Sequence, residues 1–143
     1  MPLPRYRAWR FVHPDFDAGE PVSGLRISTR GRIETVDGHL AVRQAILLLL
    51  TTRPGERVMR PDYGCHLSRL VFSPNDDTTA GLAMHYVRQA LERWEPRVEI
   101  LRLDAGRNPL DPARMDILLE YRLRATARTE RLLFPLYLSE AEV

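Results

Sequence analysis

Apolar and polar positions change their spacing along this chain, and each change marks a different kind of element. Over residues 37–52 apolar side chains crowd nearly every turn. Leu40, Val42, Ile46, Leu49 and Leu50 make a helix apolar on most sides, the pattern of a central, buried helix. Asp37 is a good N-cap residue for its start, and Arg53-Pro54-Gly55-Glu56 is a turn signature at its end. A short strand over residues 57–59 and a loop through Pro61 and Gly64 are expected next. A second helix opens at Ser73-Pro74-Asn75-Asp76, with serine as cap, proline at the first helical position and an acid complementing the dipole. Ala80, Ala83, Met84, Val87, Ala90, Leu91 and Trp94 then recur at spacings of three and four, one apolar stripe that packs on a core. Arg88, Glu92 and Arg93 lie opposite. Pro96 stops this helix at Trp94–Glu95, because proline lacks a donor and disfavours helix at the residue before it.

Beyond Arg97 the period falls to two. Residues 98–101 read as strand. Met115, Ile117, Leu119, Tyr121, Leu123 and Ala125 occupy every second position with Asp116, Glu120, Arg122 and Arg124 between them, the pattern of a sheet with one wet face. A turn at 127–129 leads to Leu132, Phe134, Leu136 and Leu138, which repeat the alternation. Pro135 lies inside that run and cannot donate to a ladder, so the run belongs at a sheet edge or a bulge. The first residues behave differently. Arg5-Tyr6-Arg7-Ala8-Trp9-Arg10-Phe11 alternates basic and bulky residues, a short strand over 5–12, and Pro14, Gly19, Pro21 and Gly24 then interrupt any long element. The order predicts an α+β fold: two main helices packed on a small antiparallel sheet of about three strands, with an N-terminal extension. Residues 1–34 form that arm, which either orders on a partner or covers the core as a strand, and residues 35–143 form the domain.

Composition narrows the function. A chain of 143 residues suits one domain and buries roughly two-thirds of its unfolded surface. All 21 basic residues are arginine, yet 19 acids are interspersed and the net charge is only +2. That is a mixed-charge surface, unlike the one-sided cationic face of a nucleic-acid binder. Arginine's planar fork suits carboxylate pairing at interfaces. The single cysteine, Cys65, leaves no intramolecular disulfide and fits folding in a reduced cytoplasm. The longest apolar run, residues 45–50, is too short to cross a bilayer, and the basic N-terminus lacks an apolar signal core.

Candidate chemistry is sparse. Glycoside hydrolysis needs two carboxyls about 5–5.5 Å apart in retaining enzymes and farther in inverting ones. Glu92 and Glu95 share a helix end, but no second acidic loop is set to oppose them. His13, His39, His66 and His85 are scattered, and Cys65-His66 is an adjacent pair without metal-ligand spacing. There is no serine elbow and no glycine-rich phosphate loop. No catalytic, cofactor or metal residues are therefore expected. Two other function classes remain as alternatives: a nucleic-acid-binding module using Arg5, Arg7 and Arg10 with their aromatic neighbours, and a cell-wall hydrolase using Glu95.

Two features point to protein partners. Glu95-Pro96-Arg97 holds opposite charges at a corner rigidified by the locked φ of Pro96. The charges either staple helix to strand internally or are offered jointly to a partner. The run Leu132, Leu133, Phe134, Pro135, Leu136, Tyr137 and Leu138 is an edge that invites a strand from another chain, unless Pro135 and Arg131 protect it.

Two stretches carry a family resemblance in order: Thr52-Arg53-Pro54-Gly55-Glu56-Arg57-Val58-Met59-Arg60-Pro61-Asp62-Tyr63-Gly64-Cys65, then Ala90-Leu91-Glu92-Arg93-Trp94-Glu95-Pro96-Arg97. They resemble the small baseplate wedge protein of contractile phage tails and its type VI secretion relative TssE, a family historically labelled "lysozyme-like". The resemblance runs from about Asp37 to Leu138. It implies a non-enzymatic baseplate component of a contractile injection machine: a phage tail, a tailocin, an extracellular injection particle or a type VI system. It further implies assembly in the bacterial cytoplasm and residence in the baseplate. In the family, the triplet matching Glu95, Pro96 and Arg97 faces neighbouring wedge subunits and helps lock the bundle they form. The sheet, roughly residues 132–138 here, exchanges strands with sheath subunits and seeds the first sheath ring. The arm is left for the tube, hub or wedge. No nucleic acid, membrane insertion or cofactor is implied, and residues 53–65 receive no defined role.

Overall fold

The computed structural model describes residues 38–138 in full, with the backbone of residues 7–9, 11–12, 24–25 and 35–37. The chain divides into two compact units, Met1–Ala45 and Ile46–Val143. In the first, β1 (Arg7–Trp9), β2 (Phe11–Val12), β3 (Gly24–Leu25) and β4 (Thr35–Asp37) form two antiparallel pairs, β1 with β4 and β2 with β3. The single strand expected over 5–12 is thus two short ones, with Arg5, Tyr6 and Arg10 outside the described residues. His13 and most of the arm also lie outside them.

Helix α1 (Gly38–Thr51) follows β4 without a loop, because Gly38 at φ 59° supplies the left-handed turn between them at little steric cost. Val42, Ile46, Leu49 and Leu50 are buried, as the apolar crowding predicts, while Leu40 is exposed. The helix ends where the Thr51 and Thr52 hydroxyls donate back to the carbonyls of Leu47 (2.8 Å) and Leu48 (2.5 Å), bonds that compete with helix continuation.

The second unit continues through a loop, a 3₁₀ turn (His66–Leu70), α2 (Asp77–Trp94) and an antiparallel sheet. The sheet's strands are β5 (Val98–Arg107), β6 (Arg114–Leu123) and β7 (Thr129–Tyr137), in the order β5-β6-β7. Helix α2 lies against β5 and β6. Met115, Ile117, Leu119, Tyr121 and Leu123 are fully buried, and Leu132, Phe134, Leu136 and Leu138 are buried as well. The opposite face carries cross-strand ion pairs, Arg122 with Glu99 and Arg131 with Glu120. Each fully buried aliphatic side chain contributes roughly 1.5–3 kcal/mol, whereas an exposed ion pair contributes about 0–1 kcal/mol. The inner face therefore holds the fold, and the pairs keep the outer face wet.

The structure corrects several sequence expectations. Residues 57–59 form no strand; they sit on a loop with Val58 94% and Met59 90% exposed, so nothing covers either side of a would-be strand. The second helix starts at Asp77 rather than at Ser73-Pro74. Phe72 at φ 72° turns the chain, the Ser73 amide donates to the Leu70 carbonyl, and Asp76 is the cap, accepting the Thr79 N–H at 2.9 Å. The 3₁₀ turn carries too short a pattern to be read in advance. Strand β5 runs on to Arg107 with a register shift between Ile100 and Arg102, a bulge at Leu101 that no periodicity announces. The last hairpin connection spans 124–128, starting earlier than the expected 127–129, with Ala127 at φ 56° as its left-handed residue.

The Thr79 amide, through its hydrogen bond, holds the Asp76 carboxyl below its ordinary value. A depressed folded-state value means that the cap stabilises above the ordinary aspartate range and is lost as pH falls through the folded value. Asp76→Asn should therefore flatten the acid limb of the stability–pH curve while changing neutral-pH stability less, measurable by urea unfolding across pH.

Candidate functional site

The corner is built by its own sequence. Helix α2 closes on Glu95, whose amide donates to the Leu91 carbonyl at 2.9 Å; Pro96 forbids another turn, and β5 begins at Val98. Arg97 Nε donates to Glu95 Oε1 at 2.6 Å and Nη2 to Oε2 at 2.8 Å, a two-point pair of the strong, charge-assisted kind. The Glu95 side chain is only 5% exposed, that of Arg97 35%. Within the chain the two charges answer each other, so the internal staple is formed. The guanidinium keeps the solvent-facing share of the pair.

The loop expected to have no defined role meets this corner. Its base is closed by the Cys65 amide on the Thr52 carbonyl (2.9 Å) and the Gly55 amide on the Pro61 carbonyl (2.7 Å). Gly64, at φ 138°, passes so close that a Cβ there would lie 2.6 Å from the Thr52 carbonyl oxygen; only glycine fits. From this base Tyr63 packs edge-on to Trp94, ring centroids 5.3 Å apart. Arg57 lies 4.5 Å above the Tyr63 ring, and Arg93 and Arg60 lie 4.8 and 5.9 Å from the Trp94 ring. Burial pushes the Tyr63 phenol up, opposed by Arg57, reinforced by Glu95 and opposed by Arg97. The two motif stretches thus form one cationic, aromatic surface. The arginines and the tyrosine are visible in sequence, but their meeting with Trp94 across about 30 positions is not.

Cys65 lies buried at the loop base, its Sγ 3.5 Å from the Tyr86 carbonyl oxygen, and burial pushes its thiol up to about 11. Beside the corner a groove of about 390 Å³ is lined by Arg88, Leu91, Glu92, Glu95, Pro96, Val98 and Glu99, among others. Its acids are paired: Glu92 with Arg88 (3.9 Å), Glu95 with Arg97, and Glu99 with Arg122. Among the described residues no three His, Cys, Asp or Glu side chains gather as metal ligands.

Strand β7 forms one edge of the sheet, as Pro135 led us to expect. Leu138 donates its N–H to Ala113 at 2.9 Å, and the register Leu136↔Met115, Phe134↔Ile117 and Leu132↔Leu119 continues from it. Even-numbered positions therefore carry the ladder to β6, and odd-numbered ones aim their main-chain groups outward. Pro135, opposite Asp116, falls on an outward position, so its missing N–H costs the sheet no bond. Leu132, Phe134, Leu136 and Leu138 point into the core, while Leu133 and Tyr137 are about half exposed. Strand β5 is the other edge, blunted by its bulge.

With this geometry in hand, comparisons with known proteins are specific. The family model for baseplate wedge protein gp25 matches residues 36–128. Baseplate wedge protein gp25 of Enterobacteria phage T4 is 31% identical over 64 residues, covering 45% of this chain and 48% of that protein; the match spans about half of that relative's length. A crystal structure of a candidate tail lysozyme from Geobacter sulfurreducens shares 42% identity at a TM-score of 0.64, covering 71% of this chain and 91% of the other. A chain in the baseplate of the anti-feeding prophage superposes with a TM-score of 0.62 over 96% of this chain and 89% of its own, at 18% identity. At that identity the likeness is one of fold.

Two outcomes follow from the corner. Arg97→Ala strands a buried carboxylate and should cost about 3–5 kcal/mol, whereas Glu95→Ala leaves a partly solvated guanidinium and should cost distinctly less. Urea midpoints of the two variants measure this, and equal losses would contradict the asymmetric burial. Native Cys65 should react with iodoacetamide at pH 8 on the order of 100-fold more slowly than in urea-unfolded chain, since thiolate is the reactive form. Equal rates would mean that the thiol is exposed.

Proposed function

Because the chain belongs to the baseplate wedge protein gp25 family, we propose that it is a structural, non-enzymatic subunit of the baseplate of a contractile injection machine. The machine is a phage tail, a tailocin, an extracellular injection particle or a type VI secretion system. The observation that carries this reading is the family match across residues 36–128, which takes in the loop, the corner and all of β5 and β6. On this reading the corner of Glu95, Pro96 and Arg97 docks among wedge subunits. The partly exposed face of the Glu95–Arg97 pair meets the partner there, and the buried carboxylate keeps the guanidinium aimed. The subunit is assembled in the bacterial cytoplasm and stays in the finished particle.

The β7 edge, Leu132 to Leu138, receives a strand from the first sheath ring. Its outward main-chain groups at Arg131, Leu133 and Tyr137 supply the ladder. Pro135 interrupts that row once, which weakens pairing between two copies of β7 and leaves pairing to a strand that accepts a gap. Residues 1–34 act as a separate arm beside the 35–143 domain, reaching the tube or hub. A hydrolase reading is disfavoured by the pairing of every acid in the corner groove with an arginine.

The test is co-expression with the sheath and wedge genes of the same cluster, scored by negative-stain imaging and subunit content. Leu133→Pro removes one outward donor while leaving the β6–β7 ladder intact, as Pro135 does. It should leave the subunit in the baseplate and abolish sheath initiation. Glu95→Gln, checked for folding by circular dichroism, should instead lose the subunit from the wedge. Sheath that grows normally on the Leu133→Pro baseplate would rule out β7 as the template.

A further inference from the structure

Two features of the 52–65 loop remain unused by the fold. The first is its tip. Val58 and Met59 are 94% and 90% exposed and contribute nothing to the core. Yet the loop is held at its base by paired hydrogen bonds at Thr52/Cys65 and Gly55/Pro61 and by the close passage of Gly64. A floppy loop would hide or average such residues, whereas a braced one keeps presenting them. The second is the set of arginines, Arg57, Arg60 and Arg93, that lie near the Tyr63 and Trp94 rings. Arg57 and Arg60 stack on Tyr63 and Trp94 and, among the described residues, have no carboxylate partner. Arg93 shares the Trp94 ring and reaches Asp62 only at 3.4 Å, with both side chains more than half exposed. A guanidinium resting near an aromatic ring can still direct its N–H donors to a carboxylate.

An exposed apolar tip on a loop that also carries guanidinium groups defines its complement. We propose that Val58 and Met59 insert into an apolar pocket rimmed by carboxylates on a neighbouring wedge subunit, with Arg57, Arg60 and Arg93 engaging that rim. This is a second contact beside the Glu95–Arg97 corner, and it rests on the reading that the chain docks in the wedge. The pairing follows the usual anatomy of a strong contact: a desolvated apolar anchor surrounded by charge that excludes water and fixes register. Bracing of the loop lowers the ordering cost of binding.

The experiment measures binding of the purified full chain to co-expressed wedge subunits by titration calorimetry at two salt concentrations. The variants are Val58→Ser/Met59→Ser and Arg57→Glu/Arg60→Glu, each checked for an unchanged melting temperature. Both sites are exposed, so folding should survive. The apolar double variant should weaken binding at least tenfold at either salt. The charge-reversed variant should weaken it at least tenfold at low salt and less at high salt. Wild-type binding that both variants match within about twofold overturns the proposal and leaves the wedge reading standing. No binding by the wild-type chain overturns the wedge reading and this proposal together. Should the wild type prove dimeric, with the dimer rather than wedge binding lost in the variants, the occupant is a second copy and the proposal fails.

Discussion

The two-point bond between Glu95 and Arg97 is the constraint on which the second unit turns. It sits where α2 must stop and β5 must start, with Pro96 between its partners. Because the Glu95 carboxylate is almost fully buried, its orientation is costly to change. The direction in which β5 leaves the helix is held accordingly. The strand so placed packs against α2.

The same corner explains why the two motif stretches belong together. Trp94 ends α2 one residue before Glu95, and its ring receives Tyr63 on edge and Arg93 and Arg60 on its face. The loop is braced against the corner by aromatic and cationic contacts worth about 0.5–1 kcal/mol each at exposed sites. The larger share of its rigidity comes from main-chain bonds at its base and the close passage of Gly64. Neither motif is a catalytic constellation. Both shape a surface, which suits a family whose members are baseplate wedge proteins.

Surface and edge differ in their physics. At the corner and loop the exposed features are side chains, a partly exposed guanidinium and an apolar tip. Along β7, main-chain groups are available on alternate residues, and the side chains that alternate with them are already committed to the core. Pro135 is the point where the two requirements meet. It occupies an outward position, so the fold loses nothing, and it takes one donor from the open edge, so uncontrolled pairing is blunted.

The local elements were legible in the residues themselves. Spacing of three and four marked α2, crowding marked α1, alternation marked β6 and β7, and proline placed both the helix stop and the sheet edge, because these signals depend only on near neighbours and backbone sterics. The α+β class follows from the same reading. Tertiary structure decided the rest. Asp76 rather than Ser73 caps α2, because Phe72 turns the chain first. Residues 57–59 hang on a braced loop rather than in a strand, because none of the described strands pairs with them. Tyr63 and its arginines find Trp94 only once the corner is made. Which side of β7 offers its main-chain groups depends on the register with β6. In the last two cases the deciding contact joins residues far apart in the chain, and periodicity carries no information about partners at that distance.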